Sequence, residues 1–121
     1  MPNVLVVDDS PTMLRIVAAL LAGLGYTHVE TARDANTALQ ILRSGRIQVT
    51  LCDWAMTPVT GQQLLSTVRA DPMLSGTLFI VMTVQGQPEA GAAALRSGAN
   101  AVLVKPFDAV ALKATLSAFG G

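Results

Sequence analysis

The feature that most constrains this chain is an alternation, repeated five times, of short apolar runs with helix-forming segments. The runs are Val4-Leu5-Val6-Val7, Tyr26 to Thr31, Ile47 to Asp53, Leu78 to Met82 and Ala101 to Val104. Most are continuous rather than alternating apolar with polar residues, so they read as parallel strands covered on both faces. The second is weaker and more polar, which suits a sheet edge. Between the runs stand helix start signals: Ser10 before Pro11, Asp34, Thr60 with Gln63 at capping-box spacing, Pro88-Glu89, and Asp108. Gly23 and Gly25, Gly45, Asp71-Pro72 and Gly98 mark the ends of the first four helices, and Gly91 weakens the interior of the fourth. The last helix sets Leu112, Leu116 and Phe119 on one face, and Phe107 with Leu112 has the spacing of a hydrophobic staple.

Strands and helices alternating with short connections imply right-handed crossovers. The expected fold is therefore α/β, a five-stranded parallel sheet flanked by five helices in a three-layer sandwich. Residues 1–121 are read as one domain, large enough to bury a core without disulfides. In such sheets ligands gather at the carboxyl ends of the strands. Those ends carry Asp8-Asp9, Asp53, Thr83 and Lys105.

Three carboxylates on one rim repel one another unless a cation joins them, and an all-oxygen site with few protein ligands suits Mg²⁺. A carboxylate held beside Mg²⁺ and the Lys105 ammonium can attack phosphorus, because both cations neutralise charge on phosphoryl oxygens. Thr83 offers a hydroxyl, and the backbone N–H groups after it are further donors. Singly, the Asp-Asp pair reads as a solvated cap, Thr83 as a strand-end hydroxyl and Lys105 as a surface charge. Their placement at neighbouring strand ends favours a shared site, while spacing alone leaves several chemistries open.

Eight basic and eight acidic residues cancel, leaving no electrostatic footprint for nucleic acid or an anionic membrane. Charged residues make up 13% and hydrophobic ones 51%, so some helix faces are expected to present apolar surface for docking or for a homodimer. Cys52 is the only cysteine; it is expected to act as a small buried hydrophobe, suited to a reducing cytoplasm. The first apolar run breaks at Asp8 and the run from Ile16 to Leu24 is short, which leaves no signal peptide or membrane span in view. A soluble, cytoplasmic protein is expected. His28 is expected at the surface near a turn, without partners that would make it a ligand or base.

Val6-Val7-Asp8-Asp9-Ser10 with Met13 and Arg15-Ile16-Val17, Asp53-Trp54-Ala55-Met56 with Gly61, Thr83, and Lys105-Pro106-Phe107 together resemble the receiver domain of bacterial two-component response regulators. The resemblance covers nearly every residue and is closest to the stand-alone chemotaxis receivers. It implies the flavodoxin-like strand order 2-1-3-4-5, which alternation by itself does not give. It implies that Asp53 accepts a phosphoryl group from a phosphohistidine on a sensor kinase or phosphotransfer protein, the receiver itself catalysing the transfer. Asp9, Asp53 and the backbone carbonyl of Ala55 match the Mg²⁺ ligands, and Asp8 matches an acid acting through water. Lys105 would pair with the phosphoryl oxygens, Thr83 would turn inward to bond them, and the peptide before Pro106 would be cis. An added charge of about −1.5 to −2 would bias two states. The readout would be protein binding through the face made by the fourth helix, fifth strand and fifth helix. Because the chain ends just after the last helix, no output domain of its own is expected.

The resemblance breaks at three places. Val102 stands where an aromatic residue often rotates with the switch threonine; Val84 stands where a very small residue is usual and would narrow access to Asp53; Ala55, with Gln85, stands where a polar side chain often orients a hydrolytic water. Two other readings compete. A Mg²⁺-dependent phosphohydrolase of the haloacid-dehalogenase kind would need a second acid two residues after the nucleophile, where Ala55 lies. A pseudo-receiver, binding partners without phosphorylation, is kept alive by Val84 and Val102 but does not explain the intact acid set. Trp54, the only tryptophan, sits beside Asp53 as a natural reporter.

Overall fold

The computed structural model describes residues 1–119. Its elements are β1 (Val4–Val7), α1 (Pro11–Gly23), β2 (Val29–Ala32), α2 (Ala35–Leu42), β3 (Val49–Asp53), α3 (Gly61–Ala70), β4 (Leu78–Val84), α4 (Pro88–Arg96), β5 (Ala101–Lys105) and α5 (Ala109–Ser117). The five strands form one parallel sheet in the order β2-β1-β3-β4-β5. The polar second strand does lie at an edge, and β3, which ends in Asp53, lies at the centre.

Period-two alternation divides the core into two layers. Leu5, Val7, Cys52, Phe79 and Val81 face one side and pack with Ala38 and Leu42 of α2, Leu64, Leu65 and Val68 of α3, and Ala94 of α4. Val4, Val6, Leu51, Ile80 and Met82 face the other and pack with Leu14, Val17 and Leu21 of α1 and Leu112 and Leu116 of α5. Both faces of the central strands β1, β3 and β4 are covered, which is why those strands read as continuous apolar runs. The caps are those read from the sequence: Ser10, Asp34 and Asp108 accept from the backbone N–H three residues on, and Thr60 and Gln63 complete a capping box. Phe107 packs against the layer that contains Leu112.

Some boundaries move. The second strand starts at Val29, not Tyr26, because the Tyr26 N–H donates to Leu21 O at 3.0 Å and closes α1 over Gly25, whose φ is +98°. That 6→1 bond withdraws Tyr26 from the ladder and buries its ring instead. The third strand starts at Val49, two residues after Ile47, since Gln48 and Val49 both donate to Asn3 O at the strand's entry. The fourth strand continues one residue past Thr83, to Val84, which pairs with Lys105. Phe119 does not share the buried face of the last helix: α5 ends at Ser117 and Phe119 is exposed. Surface apolar residues occur on helix faces as expected, at Ile16, Leu95 and Val110, and also on the edge strand β5, where Val104 is exposed rather than covered.

Candidate functional site

β1, β3 and β5 end on one rim of the sheet, with β4 between the last two. Asp8 directly follows β1, Asp53 ends β3, Thr83 is the next-to-last residue of β4, and Lys105 ends β5. Asp8, Asp9 and Asp53 each bring one carboxylate oxygen within 4.8 Å of the others. Lys105 Nζ donates to Asp53 Oδ1 at 3.1 Å and to Asp8 Oδ2 at 3.4 Å. Thr83, on the strand paired with β3, is buried at the same end.

The acids are not equivalent. Asp8 is only 1% exposed and accepts the Ser10 N–H on Oδ1 at 2.9 Å, so it is no solvated cap; Ser10 does the capping. Burial pushes the Asp8 carboxyl up, and the neighbouring Asp53 charge adds to that, against the opposing pull of the Ser10 N–H and Lys105. Asp9 is exposed and accepts the Thr57 N–H at 3.3 Å, tying the acid pair to the loop after β3. Asp53 is 7% exposed. Cys52, beside it, points into the opposite layer; burial first, then the nearby acids, drive its thiol well above 9.0, which leaves it inert.

The loop that carries Ala55 is pinned by backbone. Trp54 N donates to Met82 O at 2.9 Å, and Gly61 N donates to Trp54 O at 3.0 Å. A Cβ on Gly61 would overlap the Asp53 carbonyl, so only glycine lets α3 start this close to the strand end. Ala55 is exposed in the turn two residues past Asp53, and Trp54 is half-buried against the α2–α3–α4 layer. The Lys105-Pro106 peptide is cis, as the resemblance implied; so is Thr57-Pro58, which nothing in the sequence signalled. His28 is exposed, with Nδ1 3.2 Å from Thr27 Oγ1.

The departures also have a shape. Val102 is half-buried, and beside it Thr83, Gly91, Leu95 and Val104 line an apolar hollow of about 470 Å³. Val84 is 45% exposed at the rim, next to a Thr83 that is 4% exposed. The sequence did not disclose that Asp8 is the most deeply buried acid of the cluster or that Lys105 bridges two acids rather than one. Lys105 has the signal that could have found this: a lone cation ending a strand beside two acid-terminated ones.

The donor set fits a hard divalent cation: carboxylate oxygens on a rigid rim, with a buried acid whose charge is uncompensated except by one ammonium. Such a rim can bind Mg²⁺ and hold a negatively charged group over Asp53.

Residues 4–117 match the family described as response regulator receiver domain. The chain is 40% identical over 111 residues to the chemotaxis protein CheY of Pseudomonas aeruginosa, covering 92% of this chain and 90% of that one. It is 38% identical over 114 residues to CheY-3 of Vibrio cholerae, covering 94% and 88%. The solved structure of the chemotaxis response regulator CheY4 of Vibrio cholerae superposes with a TM-score of 0.87 at 34% identity, covering 98% of each chain. With its fold, strand order and matched span in agreement, this chain belongs to the response regulator receiver domain family and is of the CheY-like, chemotaxis type.

Proposed function

We propose that the chain is a phosphoacceptor of a two-component relay, taking a phosphoryl group from a phosphohistidine of a sensor kinase or phosphotransfer protein onto Asp53. The observation that carries this is the pairing of Lys105 Nζ with Asp53 Oδ1 at 3.1 Å inside a cluster of three acids. An Asp53 carboxylate oxygen attacks phosphorus, the P–N bond breaks, and its electron pair stays on the histidine ring. Lys105 stands where it can exchange its carboxylate partner for a phosphoryl oxygen. Asp9, Asp53 and the Ala55 carbonyl would hold Mg²⁺, with Asp8 acting through water; the bound cation supplies charge neutralisation on the transferring group. Asp8 keeps Lys105 at the rim through its own 3.4 Å contact, and Gly61 holds the Ala55 turn against β3. The chain thereby assists its own phosphorylation and dephosphorylation, the latter with a lifetime set in part by Ala55 and Gln85.

Thr83 then turns toward the phosphoryl group and shifts the β4–α4 loop. α4 is suited to respond: its N-cap, Gln87, makes no side-chain cap bond, and Ala94 is its one buried residue. The apolar residues Leu95, Val104 and Val110, which are 53%, 48% and 75% exposed, support the α4–β5–α5 face as the surface for a downstream protein or a second copy. No helix among the described residues is long and apolar enough to cross a membrane.

Trp54 tests the reading. Mg²⁺ and then a phosphodonor should each change its fluorescence, and mass spectrometry should place the phosphoryl group on Asp53. A folded protein whose fluorescence ignores both additions, with an unchanged record in Asp53→Asn, would instead be a pseudo-receiver.

A further inference from the structure

A second hollow, about 390 Å³ in volume, opens on the α1 side and adjoins the acid cluster through Lys105. Met13, Ile16 and Val17 of α1, Val84 at the end of β4, and Phe107 form its apolar wall. Lys105 is the single charged residue lining it, and the same ammonium lies 3.1 Å from Asp53. Ile16 and Val84 are 47% and 45% exposed, so the wall is open to an incoming molecule. A phosphoryl group and its cation need no apolar chamber. The charge pattern instead describes an amphipathic occupant, with an anionic head at Lys105 and an apolar body against α1.

We propose that this hollow receives the acyl group of acyl phosphates, so that the chain takes apolar acyl phosphates as small phosphodonors in preference to acetyl phosphate. The inference rests on Asp53 being the phosphoacceptor. An Asp53 carboxylate oxygen bonds to phosphorus as the P–O bond to the acyl group breaks; the electron pair leaves on the carboxylate product, and no proton or oxidant is involved. Apolar contact remote from phosphorus raises the rate at low donor concentration, because it is held through the transition state. It also gives Val84 a role as wall rather than only as obstruction.

The test compares acetyl and butanoyl phosphate, whose leaving carboxylates have nearly equal basicity, by following Trp54 fluorescence and phosphoryl incorporation at donor concentrations below saturation. Each fully buried methylene is worth about fourfold, so two partly buried ones should make butanoyl phosphate about tenfold faster. In Ile16→Thr, at an exposed helix position, that ratio should fall toward one. Equal rates for the two acyl phosphates in the parent protein, with Asp53 labelled normally by phosphoramidate, would overturn the inference while leaving Asp53 as phosphoacceptor; the hollow would then serve only apolar side chains flanking a phosphohistidine. An unchanged preference in Ile16→Thr would also overturn it. No labelling of Asp53 by any of the three donors would overturn both readings.

Discussion

At the amino end of the sheet Arg69 donates to Gly98 O, Ser75 O, Thr77 O and Asn100 Oδ1 at 2.7–3.0 Å, whereas at the carboxyl end Asp8, Asp9 and Asp53 crowd within 4.8 Å around one ammonium. Asn100 completes the first network, because its Oδ1 also accepts from Phe79 N at 2.8 Å and its N–H donates to Phe79 O at 2.8 Å. Asn3, Gln48 and Arg46 close the same end near β1 and β3, and Arg46 pairs with Glu30. One end thus satisfies its polar groups and joins the α3–β4 loop to the α4–β5 turn. The other holds three acids against one ammonium, and the remaining repulsion is relieved only by something from outside. Stability and function are separated along one axis of the sheet, so substitutions at the two ends should fail differently.

The largest effect is expected at the charged end and on function. Asp53→Asn should abolish phosphoryl incorporation from any donor while the protein stays folded, since it removes one of three crowded acids. Intact-mass measurement after donor treatment checks the first point and far-ultraviolet circular dichroism the second. Incorporation undiminished in this variant would move the phosphoacceptor elsewhere on the rim.

At the paired end the loss should fall on stability. Arg69→Ala takes their side-chain donor from three carbonyls and one of two donors from Asn100 Oδ1, and should destabilise the fold by about 3 kcal/mol. Arg69→Lys should recover only part of this, because an ammonium on a flexible stem does not reproduce a planar fork. Urea unfolding measures both. A loss under about 1 kcal/mol for Arg69→Ala would mean that the network is decoration and the two ends are not opposites.

The next effect has the opposite sign. Burial raises the Asp8 carboxyl above its ordinary 3.8, so the folded chain keeps that proton to a higher pH than the unfolded chain does. Its stabilising contribution is complete below 3.8 and is lost as pH rises through the raised folded value. At neutral pH without divalent cation Asp8 therefore weakens the fold, and Asp8→Asn should stabilise it and flatten the stability profile above pH 4. The same variant should respond less to added Mg²⁺. Thermal unfolding in a chelator across pH 4 to 8 would contradict this if Asp8→Asn were the less stable protein throughout.

How much of this was legible beforehand differs between the ends for a physical reason. Strand and helix alternation is a local pattern, so the fold class, the caps at Ser10, Asp34, Thr60 and Asp108, and the rim residues could be read directly. Tyr26 misled because an apolar aromatic beside Val29 looks like strand, while its N–H is spent on closing α1. Phe119 misled because helical spacing continues past the point where α5 stops. Arg69 and Asn100 gave no signal at all: their partners are mostly backbone groups, which any sequence supplies, and the contacts join residues up to 31 apart. The hollow by α1 was equally silent, being a property of surfaces that meet rather than of any run.

The smallest effect belongs to neither end and measures how strictly the division holds. Thr50 is the second residue of β3, between Leu5 and Phe79 on the neighbouring strands, and is fully buried. Among the described residues it is the one buried side chain whose polar atom, Oγ1, lacks a hydrogen-bond partner. An unpaired buried hydroxyl forfeits its hydration without compensation, and valine has nearly the same shape. Thr50→Val should therefore raise the urea midpoint by the equivalent of about 1 kcal/mol with an unchanged denaturant slope, and should leave the rate of Asp53 labelling as it was. If stability rises but labelling slows, this position in β3 is coupled to the strand's carboxyl end, and the strand that delivers Asp53 carries a cost in stability along its length rather than at its tip alone.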